Sequence, residues 1–297
     1  MLSLDPELAV TQYQHDVWSI EDGLPQDRVN ALAQTPDGYL WLGTQEGLCH
    51  FDPTAGRFTR HELRTGSGGV LGGPVTFVTE DAGGRLWLAT AEGICAYEPS
   101  SRRTQVFAWT GDRRGPSGNG ITSLLFDPPA TLWAGTDEQV LNRLDLASGT
   151  FTHLPLVTPG GVRLRSEGIW TIHRDAAGVL WLGTGTGLSR FEPAATPAGG
   201  RVTTYTTRDG LSSDAVYSVH GDRTGALWVG TYGGGLNRFE PGPAGGRRRP
   251  SRSFRIGAVT SARSRKPDLR FAARSTNTAS WRTASGCAGR GRREVDL

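Results

Sequence analysis

The sequence is almost devoid of two residue types that favour helices, because Lys266 is the single lysine and Met1 the single methionine among 297 residues. Both types are strong helix formers. Glycine occurs 42 times and tryptophan nine times, so turn formers and large packing side chains are plentiful instead. This composition predicts short strands joined by tight turns rather than a bundle of helices.

Long apolar runs are missing as well. No stretch reaches the ~18–20 apolar residues that a membrane-spanning helix needs. The opening residues, MLSLDPELAV, have neither the basic region nor the apolar core of a secretory signal peptide. We therefore expect no membrane span and no export signal in this chain, and a cytoplasmic location if it begins at its true start.

The cysteines do not indicate a metal or redox site. Cys49, Cys95 and Cys287 form no CxxC or CxxH pair. We predict no metal and no cofactor.

Charge of one sign is concentrated at one end of the chain. Residues 1–246 hold 18 Arg against 26 acidic residues, a net charge of −8, whereas 247–297 hold 13 Arg and one Lys against three acidic residues, a net charge of +11. The pI near 9.0 therefore does not indicate nucleic-acid binding by the rest of the chain. Only seven of the last 51 residues are Leu, Ile, Val or Phe, so we expect a disordered basic tail at 247–297.

A motif with the pattern Leu-Trp-x-Gly/Ala-Thr recurs along the chain. Its tryptophans are separated by 46, 46, 48 and 47 residues and are Trp41, Trp87, Trp133, Trp181 and Trp228. An aliphatic residue stands twelve positions before each one: Val29, Val75, Ile121, Ile169 and Val216. A constant internal distance predicts a rigid strand–turn–strand unit, and loops absorb the differences in length.

The turn inside this unit carries glycine three residues before the tryptophan and aspartate six residues before it in four of the five units each. Glycine permits positive φ, and aspartate makes local hydrogen bonds in turns. Third strands are predicted at 48–51, 94–97, 188–191 and 236–239, and fourth strands at 57–62, 103–109, 150–156 and 202–206.

Four strands in about 46 residues is the period of a β-propeller blade. The sequence therefore predicts an all-β fold, a β-propeller of four-stranded blades with five recognisable repeats near 29–62, 75–109, 121–156, 169–206 and 216–240. Each repeated tryptophan is expected to fill the wedge between neighbouring blades. Because neighbouring blades diverge outward, Cys49 and Cys95, at equivalent positions, are expected to be buried free thiols.

The repeats resemble the two-component regulator propeller family across roughly 11–240. The most specific stretch is YQHDVWSIEDGLPQDRVNALAQTPDGYLWLGTQEGLCHFD at 13–52, and DAGGRLWLATAEGI, DAAGVLWLGTGTGL and DRTGALWVGTYGGGL follow the same pattern. The resemblance implies the periplasmic ligand-binding sensor domain of a hybrid sensor kinase or diguanylate cyclase. Such a domain is not an enzyme: it binds a small molecule such as a sugar and signals to the kinase or cyclase domain.

Five repeats are incomplete relative to the seven-bladed ring that is usual in this family. The chain divides into a lead at 1–12, the propeller at 13–246 and the tail at 247–297. The segment 13–20 aligns with the fourth strand at 201–206, with Trp18 opposite Tyr205, and could complete the fifth blade. A closed five-bladed ring and an open arc are both compatible with this pattern.

Ligands of propellers bind at the mouth of the central channel, where first strands begin and second strands end. The residues expected there are the segments 26–30 and 214–217 together with Gln45, Glu46, Asn119, Asp137, Glu138, Thr186 and Tyr232. Each could equally be a solvated loop residue, so no ligand-binding residue is assigned.

Three other features do not predict catalysis. His173 and His220 occupy equivalent positions, which we expect to be far apart. His15 and Asp16 belong to the recurring opening strand, and the glycine-rich string at 183–187 lacks the spacing of a dinucleotide fingerprint.

Two functions other than sensing remain. One is an enzyme like streptogramin lyase, whose similar propeller carries a metal and a general-base histidine. The other is sequence-independent nucleic-acid binding through the Arg-rich tail.

The tail is also explained by out-of-frame translation of GC-rich DNA, because the repeat pattern stops near Arg247. We expect another Leu-Trp-x-Gly-Thr unit when the gene is read in its other two frames downstream of this point. Sequencing the locus tests this, and two frames without such a unit would exclude the hypothesis.

Overall fold

The structure, a computed structural model, describes residues 16–65, 68–112, 114–138, 140–156, 168–193 and 200–241, and the backbone of 252–254. These residues form short strands and two 3₁₀ helices, Ile20–Asp22 and Thr207–Asp209. The segment 1–12 and most of 247–297 lie outside the described residues.

Five antiparallel sheets contain four strands each, and every repeat forms one of them. The first sheet consists of β1 (Val29–Gln34), β2 (Leu40–Thr44), β3 (Gly47–Asp52) and β4 (Arg57–His61). A small hairpin follows, made of β5 (Leu63–Arg64) and β6 (Val70–Leu71). The second sheet consists of β7 (Phe77–Glu80), β8 (Leu86–Thr90), β9 (Gly93–Glu98) and β10 (Arg103–Phe107).

The remaining three sheets repeat this order. The third consists of β11 (Ile121–Asp127), β12 (Thr131–Thr136), β13 (Val140–Asp145) and β14 (Thr150–Pro155). The fourth consists of β15 (Ile169–Arg174), β16 (Leu180–Thr184), β17 (Gly187–Pro193) and β18 (Gly200–Tyr205). The fifth consists of β19 (Val216–Gly221), β20 (Leu227–Thr231), β21 (Gly235–Phe239) and β22 (Arg252–Phe254).

The first strands of successive sheets pack on one another, β1 on β7, β7 on β11, β11 on β15 and β15 on β19. These strands are therefore the innermost, and the fourth strands form the outer rim. The fold is a five-bladed β-propeller, which confirms the prediction from the repeated motif.

The repeated tryptophan is buried at the junction with the next blade. Trp41, Trp87, Trp133 and Trp181 expose only 4%, 1%, 4% and 0% of their surface. Trp87, for example, shares a cluster with Leu132, Leu144 and Phe151 of the third blade. This burial confirms that the repeated tryptophan packs between neighbouring blades, as the spacing predicted.

The glycine of the motif lies where the next blade comes closest. A Cβ added at Gly43 would stand 2.8 Å from the carbonyl oxygen of Val75, and one at Gly183 would stand 2.7 Å from that of Val216. Val75 and Val216 begin the inner part of the following blades. Larger side chains are thereby excluded at these two positions, which explains the small residue in the motif.

The aspartate six residues before the tryptophan has two roles, of which the sequence revealed one. Oδ1 of Asp81 accepts hydrogen bonds from the backbone N–H groups of Gly83 and Arg85, as expected for a turn. Its Oδ2 accepts a hydrogen bond from the indole N–H of Trp87 at 2.9 Å. The same aspartate–indole bond, at 2.8–3.1 Å, recurs in the third, fourth and fifth blades.

The fifth blade differs from the others on the face that is turned away from the fourth blade. Trp228 is only half-buried and His220 is exposed. Within the described ranges, the buried clusters that join two blades lie at the four junctions between consecutive ones, and none joins the fifth blade to the first.

The N-terminal segment reproduces a later link between blades. Ser19 and Thr206 each cap a 3₁₀ helix with the same capping box, and each helix ends at a glycine with φ near +100°. The Trp18 ring lies 4.9 Å from that of Phe51, and the Tyr205 ring lies 4.9 Å from that of Phe239. These matching contacts confirm the alignment of Trp18 with Tyr205.

Of the segment 13–20, which could complete the fifth blade, the structure describes 16–20. Residues 16–19 form no strand, and β22, from inside the predicted tail, is the fourth strand of the fifth sheet. The disordered tail was predicted from composition alone. Composition does not show that β21 leaves an unpaired sheet edge, and a short extended segment can pair with such an edge.

Trp87→Ala is expected to lower the free energy of unfolding by ~3–5 kcal/mol, because it empties a filled junction. Trp228→Ala is the matched control, since it removes the same indole–aspartate bond at a half-buried site, and should cost roughly 1–2 kcal/mol. Urea denaturation followed by circular dichroism measures both. Equal losses would contradict the wedge assignment.

Candidate functional site

One end of the propeller axis collects the beginnings of first strands and the ends of second strands. In the first, fourth and fifth blades, Val29 pairs with Thr44, Ile169 with Thr184, and Val216 with Thr231. The threonine that ends each second strand closes the following turn, as where Thr184 Oγ1 donates to the Gly187 carbonyl at 3.0 Å. We call this end the mouth.

A register shift disturbs four first strands at their second residue. It lies between Val29 and Ala31 in β1, and at the equivalent places in β11, β15 and β19. A β-bulge of this kind changes the direction of one side chain, and bulges are frequent beside functional sites. The bulged residues at the mouth are Asn30, Thr122, Trp170 and Tyr217.

In two blades the bulged side chain ties its blade to another. Asn30 Nδ2 donates to the carbonyl of Val75 at 3.2 Å. Thr122 Oγ1 donates to the carbonyl of Ile169 at 2.6 Å. A polar side chain therefore suffices for the structural role of this position.

In the last two blades the bulged residues are aromatic. The rings of Trp170 and Tyr217 are stacked, with centroids 4.3 Å apart and planes 23° apart. Tyr232, just after the second strand of the fifth blade, has its centroid 5.7 Å from that of Tyr217. Tyr217 is 38% exposed and Tyr232 68% exposed. We call Trp170, Tyr217 and Tyr232 the aromatic ladder.

Four other residues expected at the mouth hold its loops. Side-chain oxygens of these residues accept hydrogen bonds from backbone N–H groups of the loops: Gln26, Asp27, Asn119 and Asp214. Glu46 forms an ion pair with Arg60 at 3.5 Å. Thr186 contacts Thr184, while Gln45, Asp137 and Glu138 are exposed. Of the expected residues, the structure brings Tyr217 and Tyr232 together.

Sequence reasoning missed Trp170. It stands one residue inside β15, where simple alternation assigns a side chain to a sheet face rather than to the mouth. The signal that could have revealed it is its position eleven residues before Trp181, which matches that of Tyr217 before Trp228.

The separation expected for two histidines is wrong. The His173 and His220 rings lie 6.2 Å apart, because both stand on inner strands, which approach one another near the axis. Among the described residues, no three side chains of the metal-binding types gather into a cluster that could hold an ion. His15 lies outside the described residues.

Cys49 and Cys95 are buried and free. Burial raises the pKa of both thiols to about 12, so neither is activated as a nucleophile. Cys287 lies outside the described residues.

A chain of three polar side chains crosses the junction of the first and second blades. His50 Nδ1 lies 2.6 Å from His61 Nε2, and His61 Nδ1 lies 2.8 Å from the Tyr97 hydroxyl. The three side chains are all hydrogen-bonded when Tyr97 donates to His61 and His61 donates to His50, with both imidazoles neutral. Burial, together with His50 and Arg102, lowers the pKa of His61 to about 4.

Comparison with known proteins agrees with these features. The sequence profile described as two component regulator propeller matches residues 23–46, 163–186 and 210–233. The chain carries two component regulator propeller repeats. The third matched segment contains two residues of the aromatic ladder, Tyr217 and Tyr232. No curated protein matches the chain.

Solved structures with the same propeller include sensor ectodomains. The extracellular domain of the hybrid two component system BT3049 from B. thetaiotaomicron is 26% identical, with a TM-score of 0.63 over 79% of this chain and 31% of that one. The extracellular domain of BT4673 from the same organism, 21% identical with a TM-score of 0.58 over 76% and 30% of the two chains, shares the fold. This propeller is thus related to extracellular sensor domains of hybrid two component systems.

PorZ, a surface component of the type-IX secretion system of Porphyromonas gingivalis, also shares the fold, at 17% identity and a TM-score of 0.58 over 75% of this chain and 33% of that one. The chain spans about 30% of the length of these solved relatives. No helix in the described part of the chain is sufficiently long and apolar to span a membrane.

The His61 contribution to stability has a definite pH dependence. Since the folded-state pKa of His61 is about 4 and its ordinary value is 6.5, its contribution is fully present above pH ~6.5 and is lost as the pH falls towards 4. His61→Gln should reduce the loss of unfolding free energy between pH 6.5 and 4 by on the order of 1–2 kcal/mol, an amount that allows for solvent at the ring.

Urea denaturation at pH 4, 5, 6 and 7 measures the effect, with His220→Gln, at an exposed site, as control. Wild type and variant must be compared at each pH, because Glu80 titrates in the same range. Burial raises the pKa of Glu80 to about 7, so its contribution to stability is lost as the pH rises. Parallel curves for wild type and His61→Gln would contradict the assignment.

Proposed function

We propose that this chain is the ligand-sensing module of a bacterial two-component sensor, and that it binds a small molecule at the mouth without transforming it. The observation that carries the proposal is the 26% identity to an extracellular sensor domain over 79% of the chain.

The geometry of the mouth is compatible with this role. Its loops are held by hydrogen bonds that their backbone N–H groups donate to Gln26, Asp27, Asn119 and Asp214, so the surface is organised before a ligand arrives. Preorganised sites lose less entropy on binding. The exposed Tyr217 and Tyr232 supply apolar area there, which is typical of small-molecule sites.

The partners in this proposal follow from the family. The ligand is a small molecule such as a carbohydrate, the place of binding is the periplasm, and the receiving domain is a histidine kinase or a cyclase in the longer protein. Nucleic acid is not an expected partner.

The proposal is tested by thermal unfolding of the purified chain with a panel of neutral mono- and oligosaccharides. A ligand at one hundred times its Kd should raise the free energy of unfolding by about 2.7 kcal/mol. Sorbitol at equal concentration controls for the general stabilisation that polyols produce. Chromatography of the mixture afterwards should return the ligand unchanged.

Two results would contradict the proposal. One is a panel in which no saccharide stabilises the chain beyond sorbitol. The other is conversion of the stabilising compound to a product, which would make the propeller an enzyme.

A further inference from the structure

The aromatic ladder departs from the pattern of the repeat. The position eleven residues before the motif tryptophan carries Asn30, Thr76 and Thr122 in the first three blades, but Trp170 and Tyr217 in the last two. The position after the motif threonine carries Gln45, Ala91, Asp137 and Gly185 in the first four blades, and Tyr232 in the fifth. Three aromatic residues thus occupy positions that other blades fill with small or polar ones.

Packing of the propeller does not require these rings. The hydrogen bonds of Asn30 and Thr122 perform the structural task at the bulge. None of the three aromatic residues belongs to the buried clusters of the described chain. Rings that remain 38% and 68% exposed at the mouth leave apolar area in contact with water, and clustered apolar area of this kind marks binding sites.

We infer that Trp170, Tyr217 and Tyr232 form a stacking site for a neutral, hydroxyl-bearing ring of the pyranose type. This inference rests on the proposed function and gives the binding surface within the mouth. The stacked pair of Trp170 and Tyr217 supports the site from two blades, and Tyr232 extends it along the fifth.

The chemistry of the rings selects the ligand. An aromatic face carries partial negative charge, so it attracts the weakly polarised C–H bonds on the apolar face of a pyranose. The hydroxyls of Tyr217 and Tyr232 can each donate and accept a hydrogen bond, which suits the hydroxyl rim of the same ring. A compound without both an apolar face and a polar rim would use only half of this surface.

The arrangement favours a ring over a cation. Cations are held by aromatic cages that surround them on several sides. The planes of Tyr217 and Tyr232 are only 40° apart and their centroids are 5.7 Å apart, so the two rings form a shallow surface rather than a cage. Beside Tyr232, Gly233 has open space where a Cβ would stand, which leaves room for a ligand of several atoms.

The test is isothermal titration calorimetry with the saccharide panel on the purified chain and four variants. Tyr217→Leu and Tyr232→Leu remove a ring but keep apolar volume, and each should weaken binding about tenfold or more. Tyr232→Phe keeps the ring and should lose no more than about threefold. Trp109→Leu is the matched control, because Trp109 is 55% exposed but stands outside the ladder, and should bind as wild type.

The variants should give the circular dichroism spectrum of wild type, and Tyr217→Leu, which loses the stacking contact with Trp170, should lower the unfolding temperature by only a few degrees. Saccharide binding that Tyr217→Leu and Tyr232→Leu leave unchanged would overturn the ladder but not the proposed function. Binding of tetramethylammonium or phenylacetate through the ladder, with no saccharide bound, would overturn the ligand class. If none of the probes binds, the inference and the proposed function both fail.

Discussion

The hydrogen bond from the motif indole to the turn aspartate is the interaction on which the propeller depends. One carboxylate shapes the turn through Oδ1 and holds the tryptophan through Oδ2, as Asp81 does for Trp87 at 2.9 Å. A buried indole N–H needs such a partner. Because the turn and the ring are held together, the orientation of the wedge is fixed by its own hairpin. Four of the five blades are held in this way, and in the first blade Thr35 Oγ1 replaces the aspartate and accepts the hydrogen bond from the Trp41 indole at 3.2 Å.

A frame built this way leaves the mouth free to vary. The wedge, the aspartate turn and the small residue that faces the next blade lie along the first and second strands, whereas the bulged residues and the turns after the second strand contribute little to the buried clusters. Asn30 and Thr122 use the bulge for a bond between blades. Trp170 and Tyr217 use it for a stacked pair. The same backbone distortion thus supports either a hydrogen bond between blades or a stacked pair of aromatic rings.

The sequence predicted the blades because the constraint on them is periodic, and it predicted the mouth less well because the constraint there is local. The spacing of Trp41 to Trp228 determined the strands, the turns and the buried junctions. The second role of Asp81 could not be predicted, since its bond to Trp87 depends on the orientation of the indole. Trp170 was missed because a bulge interrupts strict alternation. The distance between His173 and His220 was overestimated because inner strands converge.

A sensor must do more than bind, because a ligand shifts an equilibrium between two arrangements only as far as its affinity for them differs. The aromatic ladder draws its rings from two blades, with Trp170 on the fourth and Tyr217 on the fifth, and their stacking depends on how these blades meet. A ligand that rests on both rings is therefore sensitive to that junction. Trp181, at 0% exposure, packs with Val216 and Val219 at the same junction. Under the proposed function, affinity at the mouth would therefore depend on the relative position of two whole sheets rather than on one loop.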